Sequence, residues 1–332
     1  MQSVAGRLTA FAIFIALLLR IETCATTTGL YKTNQIYKFP NAIAVENLAV
    51  RPDGSVLTSI TSRAEVFLLQ PSAKIPDPQL IYQFNGSNAV TGTVETNSDT
   101  FYVTVTSVTE TLGPIPNSSQ LWKITFPNRK SDKPLVTKVS DLPRVLIPNG
   151  LTTLASGKRL LSADSAQGYV FIIDPATGKI NAALLDPLFD PVGSDPAGST
   201  LGVNGLKVRD RVLYFTNTAQ KVFGKIPIDP QTGISLDSAN VIAETLDAAG
   251  AYDDFAVNSS DDSAFVATGA ANEIEKVDLK SPRQEVVIGG SRGTAIDRPT
   301  SAAFARSGNG DVNRRVFFVA TSGGQVVEVS VP

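Results

Sequence analysis

From residue 30 onward the apolar positions do not recur at helical spacing; they come in short runs of β-branched and aromatic residues. Phe101-Tyr102-Val103-Thr104-Val105, Tyr169-Val170-Phe171-Ile172-Ile173, Val212-Leu213-Tyr214-Phe215-Thr216 and Val316-Phe317-Phe318-Val319-Ala320 are the clearest. Breakers bound them, as in Pro52-Asp53-Gly54, Asp174-Pro175-Ala176-Thr177-Gly178, Asp229-Pro230-Gln231-Thr232-Gly233 and Asn309-Gly310-Asp311. Branched and aromatic side chains suit a pleated surface, and Gly, Pro, Asn and Asp suit the tight turns between strands. The pattern predicts an all-β chain.

The strands fall into longer units, each opened by a polar residue two positions before an apolar one. Openings at Glu46, Asn88, Asn149, Asn204, Asp253 and Thr300 are spaced by 42, 61, 55, 49 and 47 residues. An all-strand period of this length predicts a β-propeller with one four-stranded sheet per unit, and six openings predict six blades. A β-sandwich is the alternative, but its turns would not recur in units this long. The last unit ends near Val331 with little room for an outermost strand. Gln35-Ile36-Tyr37-Lys38-Phe39 is expected to supply it, closing the ring and removing exposed sheet edges. The longest irregular stretch, 184–200, contains Asp186-Pro187, Asp190-Pro191-Val192-Gly193 and Asp195-Pro196-Ala197-Gly198. It leads into Val203-Asn204 and is expected over the channel mouth, as a lid or a plain insertion.

Aligned on their apolar residue, Val45-Glu46-Asn47-Leu48, Pro148-Asn149-Gly150-Leu151, Val203-Asn204-Gly205-Leu206 and Tyr252-Asp253-Asp254-Phe255 put Glu46, Asn149, Asn204 and Asp253 in one column. Residues that open the innermost strands of a propeller converge near its axis, so the column predicts two carboxylates and two carboxamides at one end of the channel. Such a set suits a hard divalent cation, Ca²⁺ before Mg²⁺ or Mn²⁺, and suits Zn²⁺ poorly. Asp254 is the alternate for Asp253. Asn-Gly pairs are also common turn formers, and Asn149 and Asn204 could merely cap loops.

Composition narrows the chemistry. The chain has no histidine, which removes Ser-His-Asp and Cys-His nucleophile systems and His-ligated zinc. Its one cysteine, Cys24, lies in an N-terminal stretch with the marks of a secretory signal: Arg7, an apolar run over 8–19, and the small residues of Thr23-Cys24-Ala25. Residues 1–25 are therefore expected to be a cleaved signal peptide, and 26–332 a single domain of the secretory lumen or exterior. Net charge is −2 with no basic block, which argues against nucleic acid or membrane as partner and for a small molecule. Asn85, Asn117 and Asn258 head glycosylation sequons, and Asn258, in a polar turn, is the best placed.

The column phrases resemble the senescence-marker-protein/gluconolactonase family of six-bladed propellers. In that family a Glu opening the first blade, an Asn of a Pro-Asn-Gly-type motif, a second Asn nearby and an Asp of an Asp-Gly-type motif surround a divalent cation. The resemblance maps this set onto Glu46, Asn149, Asn204 and Asp253. Three positions depart from it. Ile147 stands where the sugar-lactone hydrolases carry an Arg that grips the polyol, Asn47 replaces a usual Gly, and Asp254 replaces the Gly after the column acid. Tyr252-Asp253-Asp254-Phe255-Ala256-Val257 and Arg298-Pro299-Thr300-Ser301-Ala302-Ala303-Phe304 are most similar to a secreted fungal branch. That branch includes hetero-Diels–Alderases, which join a quinone methide to a terpene alkene in tropolone–sesquiterpenoid pathways.

Three functions follow. The first is a secreted [4+2] cyclase of secondary metabolism acting by preorganisation, which needs no nucleophile, proton shuttle or organic cofactor. Its expected partner is a small, largely apolar metabolite. Tyr252 and Arg298 are candidate donors to an enone oxygen beside Asp253, and Asn88, Ile147, Asn149, Asn204 and Thr300 are candidate substrate contacts. The second is metal-dependent lactone or ester hydrolysis with Asp253 as base. The third is a non-catalytic ligand-binding propeller. A monomer is expected in each case.

Overall fold

Among the described residues every sheet is a four-stranded antiparallel ribbon, and there are six of them. The computed structural model describes residues 30–40, 43–192, 200–290 and 294–332. The expected signal peptide (1–25) and the Asp195-Pro196-Ala197-Gly198 part of the long loop lie outside the described residues. No helix among the described residues is long and apolar enough to cross a membrane.

Strand β1 is Lys32–Lys38. Blade 1 holds β2 (Val45–Val50), β3 (Val56–Ile60), β4 (Glu65–Leu69) and β5 (Gln79–Gln83); blade 2 holds β6 (Ala89–Asn97), β7 (Thr100–Thr106), β8 (Gln120–Thr125) and β9 (Leu135–Asp141). Blade 3 holds β10 (Pro148–Thr153), β11 (Leu160–Asp164), β12 (Tyr169–Ile173) and β13 (Ile180–Leu185); blade 4 holds β14 (Val203–Arg209), β15 (Val212–Asn217), β16 (Val222–Pro227) and β17 (Asn240–Glu244). Blade 5 holds β18 (Tyr252–Asn258), β19 (Ser263–Thr268), β20 (Glu273–Asp278) and β21 (Gln284–Gly289). Blade 6 holds β22 (Pro299–Arg306), β23 (Val312–Thr321) and β24 (Gln325–Ser330), with β1 as its outermost strand. The chain is thus a six-bladed β-propeller closed by its N-terminal strand, as the unit spacing predicts.

Burial follows the strand order. Second strands are buried on both faces because each sheet is covered by a blade on either side. Val56, Ile60, Phe101, Val103, Leu161, Ala163, Phe215, Val266, Phe317 and Val319 are all fully buried. Outermost strands face water, and β1, β5 and β9 are largely exposed. The core is therefore a set of wedges between blades. Leu161, Phe189, Leu206 and Phe215 fill the wedge between blades 3 and 4, while Phe223, Phe255 and Val266 fill the next. Each large ring in such a wedge contributes about 2–3 kcal/mol by leaving water.

A buried cation joins blades 1 and 2 at the strand ends away from the column. Arg51, 1% exposed, directs Nε to Asp99 (2.9 Å) and Nη1 to Asp53 (3.1 Å), with its guanidinium 3.7 Å from the Phe126 ring centre. It ties blade 1 to the turns of blade 2. Replacing it leaves Asp99 buried without its cation, so Arg51→Leu should cost about 3–5 kcal/mol. Urea unfolding measures this; a loss below about 1 kcal/mol, the scale of a surface pair, would show the cluster to be incidental.

Candidate functional site

The innermost strands share one irregularity. Each slips register against its neighbour by a β-bulge: between Val45 and Asn47 in β2, Val90 and Thr93 in β6, Pro148 and Leu151 in β10. The same slip falls between Val203 and Leu206 in β14, Tyr252 and Phe255 in β18, and Pro299 and Ser301 in β22. A bulge opposes two residues to one and re-aims side chains. Repeated around the axis, it defines an upper ring of Glu46, Thr91, Asn149, Asn204, Asp253 and Thr300. The residue after each forms a lower ring of Asn47, Gly92, Gly150, Gly205, Asp254 and Ser301.

Five of the six sequence-derived openings sit on the upper ring. Asn88 does not. It precedes β6 and holds a loop, its Nδ2 donating to the Val108 carbonyl (2.8 Å) and its Oδ1 accepting from the Val108 amide (3.0 Å). Thr91 occupies the ring position instead, and Thr91-Gly92 was the readable signal, matching Asn149-Gly150 and Asn204-Gly205. Thr93 follows where the other strands have an apolar residue, so the polar-x-apolar frame slid back to Asn88-Ala89-Val90.

The three glycines of the lower ring are there for space. A Cβ on Gly92 would lie 2.3 Å from the Asn149 carbonyl, one on Gly150 2.1 Å from the Asn204 carbonyl, and one on Gly205 2.5 Å from Asp254 Oδ1. Each innermost strand there presses against the bulge of the next blade. On the other half of the ring, side chains fill the equivalent gaps. Asn47 Nδ2 reaches Asp254 Oδ2 at 3.1 Å, and Lys207 of β14 holds both Asp254 oxygens at 2.6 and 2.8 Å. Asn47 and Asp254, two of the departures from the resembled family, thus meet across the channel.

The upper ring has an electrostatic problem. Burial, with Asp254 nearby, pushes the Glu46 carboxyl up to about 7. Asp253 is raised well above the carboxylate range by burial first, then by Glu46 and Asp254, and the Asn204 carboxamide only partly offsets this. Asn204 donates through Nδ2 to Thr218 Oγ1 (2.9 Å), leaving Oδ1 buried with no partner among the described residues. Two repelling carboxyls and an orphaned amide oxygen suit a hard divalent cation. Glu46, Asn149, Asn204 and Asp253 would hold it, and it would supply Lewis-acid polarisation of a carbonyl.

The remaining candidates are dispersed. Thr300 Oγ1 donates to the Val45 carbonyl (2.7 Å) and ties blade 6 to blade 1. Ile147 is buried just before β10, its amide held by Asp164 Oδ1 (3.2 Å). Tyr252 is fully buried and points away from the axis, its hydroxyl donating to Glu275 Oε2 (2.6 Å) inside blade 5. Arg298 lies exposed on the rim at φ +53°, its Nε 3.3 Å from Asp297. The structure brings neither Tyr252 nor Arg298 to the ring. Among the sequon asparagines, Asn85 and Asn117 are exposed, whereas Asn258 is buried and its Oδ1 accepts from the Ser260 amide (3.0 Å) and hydroxyl (2.7 Å). The structure therefore favours the first two sequons over the third.

Around the mouth lie the excursion between β7 and β8 and the segment after β13. Leu112 and Ile115 on the former and Val192 on the latter are exposed, as is Leu185 at the end of β13. The Phe189 ring anchors the long loop, packing edge-on to Phe215 at 4.8 Å and fixing where it leaves blade 3.

No family profile matches the chain. It is 26% identical over 312 residues to a protein of Sarocladium schorii provisionally named as a hetero-Diels-Alderase, covering 82% of this chain and 74% of that one. A Phoma protein given the same provisional name is 22% identical over 296 residues, 82% of each chain. Among solved structures, the PQQ-bound aldose sugar dehydrogenase of Streptomyces coelicolor superposes with a TM-score of 0.59 at 14% identity, covering 90% of this chain and 98% of that one. Virginiamycin B lyase of Staphylococcus aureus, solved with quinupristin, gives 0.57 at 13% identity over 91% and 100%. At such identities these two show the propeller fold alone.

Proposed function

We infer that the chain is a secreted propeller cyclase that joins an enone or quinone methide to an alkene at the mouth of its channel. The observation that carries this reading is the similarity to two proteins named as hetero-Diels-Alderases, which spans 82% of the chain. In such a cycloaddition the enone oxygen and its terminal carbon bond to the two alkene carbons as three π bonds become one. No proton or leaving group moves. The chain's contribution is to exclude water, align the two partners and donate to the enone oxygen as charge develops on it. Apolar residues at the mouth suit greasy partners, and the absence of histidine and cysteine from the described chain is no handicap to this chemistry.

A second reading, metal-dependent lactone hydrolysis, draws on the orphaned Asn204 oxygen, on the same ring as the Glu46 and Asp253 carboxyls. One experiment separates them. Purified protein is incubated with EDTA, an ortho-quinone methide generated in situ and a cyclic trisubstituted alkene, and the adduct is analysed on a chiral column. One enantiomer formed above the buffer background, and surviving Asp253→Asn, supports the cyclase. Racemic product at the buffer rate, together with Ca²⁺-dependent cleavage of an aromatic lactone, sinks it.

A further inference from the structure

We propose that Lys207 is a ligand-binding residue, and that with Asn47 and Asp254 it forms the floor on which the oxygen-bearing end of the ligand rests. Lys207 lies on β14, three residues below the ring position Asn204. Its ammonium holds the two Asp254 oxygens at 2.6 and 2.8 Å. An ammonium has three donors, so one N–H remains. The Lys207 side chain is 31% exposed while Asp254 is 4% exposed. On an innermost strand the neighbouring blades cover both faces, so that exposure is to the channel.

The pair cannot turn aside. Asp254 also accepts from Asn47 Nδ2 (3.1 Å) and the Phe255 amide (2.8 Å), and Gly205 has no side chain to displace it. The Phe255 ring, 5.2 Å from Lys207 Nζ, backs the ammonium. With the carboxylate paired, the spare N–H is a fixed, charge-assisted donor. It suits a carbonyl or quinone-methide oxygen and gives nothing to a hydrocarbon.

This inference takes the ligand's chemical class from the cyclase reading, but its test needs no turnover. 4-(Dimethylamino)chalcone, an apolar enone whose absorption moves to the red when its carbonyl accepts a hydrogen bond, is titrated with the full protein in EDTA. A red-shifted bound spectrum is expected. In Lys207→Met the shift should vanish and binding weaken about tenfold, as when one charge-assisted hydrogen bond is lost. Lys207→Met/Asp254→Asn, which leaves no buried charge unpaired, should behave alike and guards against a folding defect. Wild-type protein that leaves the dye unshifted, or either variant that shifts it fully, overturns the proposal. Protein that shifts the dye but yields no adduct fails the cyclase reading alone.

Discussion

Gly150→Ala should abolish the folded propeller. The added Cβ would stand 2.1 Å from the Asn204 carbonyl oxygen, 2.8 Å from the Leu206 nitrogen and 2.9 Å from the Gly205 carbonyl carbon. All three are backbone atoms of a strand held on one side by β15 and on the other by blade 3, so no side chain can rotate away. Relief requires separating blades 3 and 4, which opens the wedge packed with Leu161, Leu206 and Phe215. The cost should exceed about 4 kcal/mol, the range of severe overpacking and above. Gly308→Ala is the control, because nothing lies within 4 Å of its Cβ position. Circular dichroism and the yield of soluble protein read the result. A Gly150→Ala protein that melts within a few degrees of wild type would mean that blades 3 and 4 are not in such close contact.

Stability should fall as pH rises from about 5 to 8. Glu273 is buried in blade 5 among Glu275, Asp247 and Tyr252, and burial together with Glu275 pushes its carboxyl from 4.5 up to about 8. Glu46 behaves similarly, from 4.5 to about 7. Between those values the folded chain holds protons that the unfolded chain has released, so its stability declines with pH across this window and levels off above it. One pKa unit corresponds to about 1.4 kcal/mol, and channel water screens Glu46 in part, so the combined loss is on the order of a few kcal/mol. Glu273→Gln should flatten the curve toward pH 8, and Glu46→Gln toward pH 7. Added Ca²⁺ should restore only the Glu46 portion if the ring takes the ion. A melting temperature that is constant from pH 5 to 8 without added metal would refute the buried-acid picture.

What was readable in the sequence was whatever repeats. Blade number, ring closure by Gln35-Ile36-Tyr37-Lys38-Phe39, and five of the six ring positions follow from turn signals and from a polar residue before an apolar one. The sixth was missed because Thr93 breaks that frame. Tyr252 was misjudged for a different reason. It neighbours Asp253 but precedes the bulge, where strand residues still alternate between faces, so its side chain points into a blade. Lys207 could not have been found by pattern. Its place depends on the emptiness above Gly205 and on Asp254 in the next blade, a contact between residues 47 positions apart.

The pairing of β1 with β24 has a consequence for synthesis on the ribosome. Lys32 finds its partner only at Ser330, the other end of the chain. At about 5–20 residues per second, roughly a quarter to a full minute passes between the two emerging. For all that time the first strand must wait unmated among growing sheet edges without sticking to them. Its sequence suits the delay: Lys32, Thr33, Asn34 and Gln35 are polar and remain exposed even after docking.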